Sequence, residues 1–287
     1  MQRESAPAKL TVTLRVTGVR DDGYHLIDAE MVVLDLADEL EFSEGDGLEV
    51  TGPSAAGVTT GPENLVRRAL ALVGRTAHVR LDKRVPSGAG LGGGSADAAA
   101  VLRLACEASG MGDRRLLEDI ASTLGSDVAS QVRGGLVLAT GEGSRLRPLN
   151  VGLPYSVVVL PIDARLPTVD VYAEADRLCL GRETLDLARS LTRMQAALSA
   201  ETILEHLHND LQDAARSLCP QIDEALEAAL AAGADHALVS GSGPTVIAVF
   251  AGSGHAERAA RVCESIAAEG RTPAPVLARP AAPYMVD

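Results

Sequence analysis

The sequence predicts an α+β protein of two domains, with a boundary near residue 150. Its 287 residues are enough for one large core or two ordinary ones. Up to residue 149, stretches of strict apolar–polar alternation are interleaved with stretches of helical spacing. After Leu149 the rhythm changes and helical spacing dominates. The predicted domains are therefore residues 1–149 and 150–287. Hydrophobic residues make up 46% and charged residues 23%, a globular rather than disordered balance.

Taken in order, KLTVTLRVTG (Lys9 to Gly18) alternates as a strand, and RDDGYH (Arg20 to His25) is a turn built on Asp-Asp-Gly. Ala29 to Leu36 and Glu39 to Phe42 read as two further strands separated by a short acidic turn. Pro62 to Val73 starts with Pro and carries apolar residues at helical spacing. Ala77 to Val85 alternates again. A glycine-rich loop follows, then a helix from about Ser95 to Ala108. RRLLEDIASTLGSD predicts a helix ending at Gly125, and GGLVLATGEG a strand running into a turn. Beyond the boundary, Tyr155 to Ala164 reads as a buried strand and Gln221 to Ala232 as a helix. HALVSGSGPTVIAVF joins two apolar strands through a Ser-Gly loop, and HAERAARVCESIAAE is helical.

The formal net charge of −13, without any run of Lys and Arg, argues against nucleic-acid or membrane-surface partners. An anionic ligand would have to be held locally, by backbone amides, a metal ion and a few cations. The four cysteines, Cys106, Cys179, Cys219 and Cys263, form no CxxC pair, which excludes the usual zinc spacings and suggests a reducing compartment. The opening MQRESAPAKL has no apolar core of a signal peptide, so a cytoplasmic location is expected.

VPSGAGLGGGSADAAAVL, Val85 to Leu102, concentrates glycine in front of an alanine-rich helix. Gly88, Gly90 and Gly93 formally fit G-x-G-x-x-G, but the preceding strand carries Arg80, Asp82, Lys83 and Arg84 rather than a buried apolar run. The lysine-containing P-loop pattern is absent. What remains is a strand, a bare loop and a helix start, a geometry that suits phosphate: free amides and the helix dipole favour anionic oxygens, and missing side chains allow close approach. A tight strand-to-helix crossover alone would need only one or two glycines.

PSGAGLGGGSADAAA resembles the second motif of the galactokinase, homoserine kinase, mevalonate kinase and phosphomevalonate kinase superfamily. APAKLTVTLRV, Ala6 to Val16, is similar to its first motif, and VSGSGPTVIAVF, Val239 to Phe250, to its third. RDDGYH, LGSDV (Leu124 to Val128), RGG (Arg133 to Gly135) and PTVDVY (Pro167 to Tyr172) are similar to segments of one branch, which acts on a cytidyl-diphosphate sugar alcohol in non-mevalonate isoprenoid biosynthesis. The resemblance implies an ATP-dependent kinase with its active site in an interdomain cleft, an N-terminal ATP-binding domain and a C-terminal substrate-binding domain. The alternatives are a homoserine or mevalonate kinase-like enzyme and a catalytically silent nucleotide-binding relative.

On these motifs the resemblance makes Asp127 the general base and Lys9 its cationic partner, with ATP and Mg2+ as cofactors. Alone, an Asp after a helix end reads as a cap and a Lys before a strand as a solvated charge. The loop of Pro86, Ser87, Gly88, Ala89, Gly90, Leu91, Gly92, Gly93, Gly94, Ser95 and Ala96 would cradle the phosphates, with the Ser95 hydroxyl near the phosphates or magnesium. Asn64 either approaches adenine or simply starts a helix. For the acceptor, Tyr24 and Tyr172 would sandwich the base, His25 would bond its edge, Thr11 and Thr168 would contact the acceptor, and Ser240 with Gly241 would offer a second amide-lined loop. Thr11 stands where the branch usually has Asn, Ser87 where it has Met, and Ala129 to Gln131 where Pro and aromatics are common. His206 and His208 form an HxH that reads as a helix surface, not a metal site.

Overall fold

The computed structural model describes residues 2–109, 114–149, 155–180 and 203–281. Two antiparallel-dominated sheets and nine helices are present among them. Strands β1 (Gln2–Val19), β2 (His25–Ser43), β3 (Gly47–Thr51), β4 (His78–Asp82), β5 (Leu136–Gly141), β6 (Arg145–Pro148) and β8 (His208–Asn209) form a seven-stranded sheet. Strands β7 (Tyr155–Leu160), β9 (His236–Val239), β10 (Val246–Ala251) and β11 (Val276–Ala278) form a second sheet in the order β11-β7-β10-β9. The helices are α1 (Leu65–Leu72), α2 (Gly93–Ser109), α3 (Arg114–Ser122), α4 (Ser126–Arg133), α5 (Thr168–Arg177), α6 (Ile203–His206), α7 (Gln212–Leu218), α8 (Gln221–Ala231) and α9 (His255–Ala268). The expected boundary at residue 150 lies outside the described residues.

β1 is buried on both faces from Ala6 to Arg15, because helices cover one side and the second sheet covers the other. On the helix side, Leu40, Val79 and Leu81 pack with Ala96, Ala98, Ala99 and Ala100 of α2. The alanines let the α2 backbone lie close against the sheet. On the other side, Leu10, Val12 and Val32 join Val157, Ile247 and Val249 of the second sheet in one apolar cluster. Burying such side chains stabilises by roughly 1.5–3 kcal/mol each, and this shared core holds the two sheets together.

Register shifts fall between Pro7 and Lys9 and between Thr11 and Thr13 in the β1–β2 pairing. Bulges of this kind re-aim side chains, and here they bracket the short stretch that carries Lys9 and Thr11. The two strands expected at Ala29 to Leu36 and Glu39 to Phe42 are one strand. The short acidic stretch expected to turn the chain does not, because Asp38 is buried and accepts hydrogen bonds from the segment after β4. β1 and β2 pair along nearly their whole length, which carries β1 well upstream of Lys9. α2 begins at Gly93, two residues before the expected Ser95.

The chain also makes a helix where the sequence suggested only a helix end. Gly125, at φ 156°, breaks away from α3, and Ser126 starts the eight-residue α4. His208 lies not on a helix surface but in β8, paired parallel to Thr13 of β1, with its Nε2 2.6 Å from Asp210 Oδ1. Its strand neighbour Asn209 is buried and bonds to the end of β9 and the loop after it. Among the described residues, no helix is long and apolar enough to cross a membrane.

Candidate active site

The glycine loop leaves β4, crosses the top of β1 and enters α2. Ala89 and Leu91 are its apolar anchors, and the Lys9 amide donates to the Leu91 carbonyl at 2.8 Å. Gly92 has φ +66°, and a Cβ there would sit 2.9 Å from Lys9 Cγ. Gly90 has φ +70°, and its Cβ would lie 3.2 Å from the Gly243 carbonyl oxygen. Both positions thus require glycine for backbone geometry and for close approach. On the opposite side, a Cβ at Gly88 would meet nothing within 4 Å, so the loop is open there. The amides of Gly93, Gly94 and Ser95 begin α2 and have no partner within the helix.

Lys9 is only 7% exposed, and a buried ammonium needs partners. Its Nζ lies 3.4 Å from Asp127 Oδ2 and donates to Thr11 Oγ1 at 3.3 Å. Asp127 occupies the first turn of α4, where the helix dipole favours negative charge. Its side chain is 36% exposed, so the carboxylate opens toward solvent while Lys9 does not. Gln131, one turn later, reaches back toward the Gly92 carbonyl at 3.5 Å, and Arg103 donates to the Gln131 carbonyl at 3.1 Å. The unusual Ala129 to Gln131 segment is therefore buried packing beneath the loop.

The second Ser-Gly loop, between β9 and β10, closes the other side. Asn209 Nδ2 donates to the carbonyls of Val239 and Gly241 at 2.8 and 2.7 Å, while its Oδ1 accepts from the Leu211 amide at 2.9 Å. Ser240 is fully buried, and its Oγ accepts from the Thr11 amide at 3.3 Å. Ser240 thus joins loop to strand, whereas Ser242 takes the place at the cavity wall and shares a 3.0 Å hydrogen bond with Thr168 Oγ1.

A cavity of about 440 Å³ lies between these parts. Lys9, Thr11, Tyr24, His25, Asp127, Thr168, Tyr172 and Gly241, all singled out in the sequence, line it together with Ser126, Glu142 and Ser242. His25 and Tyr172 stack with ring centroids 4.7 Å apart, and His25 Nε2 lies 2.8 Å from Asp176 Oδ1. Burial, and then the neighbouring Tyr24 hydroxyl and Asp127, push the Tyr172 hydroxyl up to about 12, so the ring stays neutral. Tyr24 is half exposed, with the Arg20 guanidinium 5.9 Å from its ring centre.

Asn64 does not join this group. Its Oδ1 accepts from the Val66 amide at 2.8 Å, which caps α1, and its Nδ2 donates to the Thr59 carbonyl of the preceding loop at 2.7 Å. Asp176, Ser126, Glu142 and Ser242 were not anticipated. Asp176 could have been found from its spacing, since it lies one helical turn beyond Tyr172. Ser126 sits in the expected LGSDV segment, but its place at the cavity depends on α4. Among the described residues, no group of three or more His, Cys, Asp or Glu is placed to hold a metal ion.

The site thus sets a buried ammonium and an open carboxylate beside a bare glycine loop, and comparison with known proteins gives the class of the chain. Residues 64–140 match the GHMP kinases N terminal domain and residues 187–268 the GHMP kinases C terminal region. Together they define the class: a two-domain α+β kinase of the GHMP type. A 4-diphosphocytidyl-2-C-methyl-D-erythritol kinase from Streptomyces avermitilis is 41% identical over 251 residues, covering 83% of this chain and 84% of that protein. One from Paracoccus denitrificans is 39% identical over 280 residues, covering 95% and 98%. A crystal structure of 4-(cytidine 5'-diphospho)-2C-methyl-D-erythritol kinase superposes with TM-score 0.73 at 33% identity, covering 96% of this chain and 98% of that one. The chain belongs to the 4-diphosphocytidyl-2-C-methyl-D-erythritol kinase family. A mevalonate kinase structure, at TM-score 0.68 and 10% identity, shares the fold.

Proposed function

We propose that this chain transfers the γ-phosphoryl group of ATP to the 2-hydroxyl of 4-diphosphocytidyl-2-C-methyl-D-erythritol, as a step of non-mevalonate isoprenoid biosynthesis. The observation that carries this reading is the Lys9–Asp127 pair, 3.4 Å apart, set between the open glycine loop and the cavity lined by Tyr172 and His25. Phosphoryl transfer is mostly positioning and charge stabilisation, and the site supplies both. Residues 1–149 contribute the loop, and residues 150–287 contribute Thr168, Tyr172 and the 240–243 loop.

In this reading the acceptor's base stacks against Tyr172 and Tyr24, with His25 at its edge. Asp127 accepts the proton of the 2-hydroxyl as that oxygen bonds to the γ-phosphorus and the bond to the β-phosphate oxygen breaks, leaving ADP. Lys9 orients the Asp127 carboxylate and steadies the developing negative oxygen. The first-turn amides of α2 bind the phosphate oxygens. Mg2+ prefers oxygen ligands, keeps most of its waters and neutralises phosphate charge; the Ser95 hydroxyl is the oxygen donor the loop offers it. Thr11, in place of the usual Asn, takes the Lys9 ammonium as a donor, which favours a role in holding the lysine over one in reading the base. A reducing, cytoplasmic setting belongs to the same reading, supported by four cysteines of which none is in a disulfide.

A coupled ADP-release assay with the cytidyl-diphosphate acceptor, mevalonate and homoserine tests this. Turnover confined to the first acceptor is expected. Turnover with mevalonate or homoserine in its place would move the chain to another branch of the superfamily.

A further inference from the structure

Directly behind the glycine loop lies a charged cluster that the proposed chemistry does not use. Lys83, Asp38 and Asp97 have side chains 3%, 0% and 3% exposed. Lys83 Nζ donates to Asp38 Oδ2 and, at 2.8 Å, to Asp97 Oδ2. Asp38 Oδ1 accepts from the amides of Arg84 and Val85 at 2.6 and 2.8 Å. These groups come from three parts of the chain: Asp38 from β2, Lys83 from the residue directly after β4, and Asp97 from the second turn of α2. A Cβ on Gly93, the first residue of α2, would lie 3.1 Å from Lys83 Nζ and 3.1 Å from Val85 Cγ1. The start of α2 therefore rests on the Lys83 ammonium.

None of the three lines the acceptor cavity. Burying one ammonium with two carboxylates is a poor way to gain stability, because well-packed apolar residues do as well or better. Burial pushes the Asp97 carboxyl up to about 7 against the pull of Lys83, a further sign of that cost. What the cluster does provide is directional contact with both ends of the loop. It grips residues 83–85 where the chain enters and Asp97 where α2 leaves, while the middle, with positive-φ glycines at 88, 90 and 92, is anchored only by the apolar side chains of Ala89 and Leu91.

We infer that Lys83, held between Asp38 and Asp97, is a positioning residue for the nucleotide: it fixes the loop entry against the start of α2, so that the first-turn amides meet the phosphates. This rests on the reading of residues 86–96 as the ATP site. Acceptor binding, which uses the opposite wall of the cleft, does not depend on it.

The test is the double variant K83M/D97L. It removes the ion pair together, leaves Asp38 with its two amide donors, and keeps the formal charge of the cluster unchanged. The protein should stay folded at the assay temperature, with a melting temperature lowered by the Asp38 carboxylate left buried without a cation. Misplacement of the amides should raise KM for ATP by about tenfold or more, with KM for the acceptor held within about twofold. Asp97→Asn keeps an oxygen acceptor for Lys83 and should leave KM for ATP within about threefold of wild type. A folded double variant with wild-type KM for ATP overturns the inference, as does an Asn variant as impaired as the double one. If the double variant does not fold, Asp97→Ala takes its place: a raised KM for ATP with an unchanged acceptor KM supports the inference, and an unchanged KM for ATP overturns it. Hydrogen exchange on the wild-type protein separates the two claims. Protection of residues 86–96 by Mg-ATP upholds the loop as the ATP site whatever the variants do; its absence removes that reading and the inference with it.

Discussion

The Lys9 ammonium on β1 lies 3.4 Å from Asp127 Oδ2 in the first turn of α4, one partner buried and the other open to the cavity. The pair joins an acid–base group to a fixed cation at the meeting point of two loops. Asp127→Asn keeps shape and polarity but cannot accept the hydroxyl proton. We expect kcat to fall by about 10²–10⁴-fold, with ATP affinity nearly unchanged by a direct binding measurement. Retained turnover would take the base role from Asp127.

Gly92→Ala probes the contact between loop and lysine. The residue has φ +66°, and its new Cβ would press on Lys9 Cγ at 2.9 Å. The strained backbone should cost about 1–2 kcal/mol of stability, seen in denaturant unfolding. Displacement of Lys9 should lower kcat as well. A Gly92→Ala enzyme with wild-type kcat would mean that Lys9 tolerates movement and does not steady the reacting oxygen.

Tyr172 carries the proposed stacking surface, with His25 on one side at 4.7 Å. Base stacking on an aromatic contributes about 1–3 kcal/mol, so Tyr172→Ala should raise KM for the acceptor by roughly 5–150-fold. KM for ATP should stay within about twofold. Equal losses for both substrates would place the effect in general folding rather than in base recognition.

Glu30 gives a pH-dependent prediction. It is 1% exposed, accepts from Thr13 Oγ1 at 2.8 Å, and has no partner at Oε1. Burial pushes its carboxyl above the usual value, and Thr13 and the Arg15 guanidinium only partly oppose this. A carboxyl with a raised pKa in the folded state holds its proton more tightly folded than unfolded. Its ionisation therefore costs stability, increasingly as pH rises from the unfolded value through the folded one. Glu30→Gln should melt at a higher temperature than wild type at about pH 8, with the gap closing near about pH 4. A gap independent of pH would contradict this.

Much of the site was legible because its signals are local. The glycines of the loop, the alternation of β1, and Tyr24 with His25 inside a polar turn all announce themselves within a few residues; the structure brings Lys9, Thr11, Tyr24 and His25 to one cavity and sets Gly92 of the loop against Lys9. The features that were not legible depend on contacts distant in sequence. Lys83 reads as one more charge on a polar strand until Asp38 and Asp97 are folded around it. Asp38 looks like a turn residue because nothing nearby shows that it will accept the amides of Arg84 and Val85. Ser240 looks like a ligand contact, yet its hydroxyl is taken by the Thr11 amide. The short helix α4 escaped notice because a single glycine at φ 156° separates it from α3, and period alone does not resolve two helices so closely spaced.

The central claim is that backbone amides at the start of α2 hold the donor's phosphates beside Lys9 and Asp127. A crystal structure with a non-hydrolysable ATP analogue and the cytidyl-diphosphate acceptor tests it most directly. Phosphate oxygens should lie within hydrogen-bond reach of the amides of residues 93–95, with the acceptor's 2-hydroxyl at the Asp127 carboxylate. Phosphorus atoms lying away from residues 86–96 would contradict it.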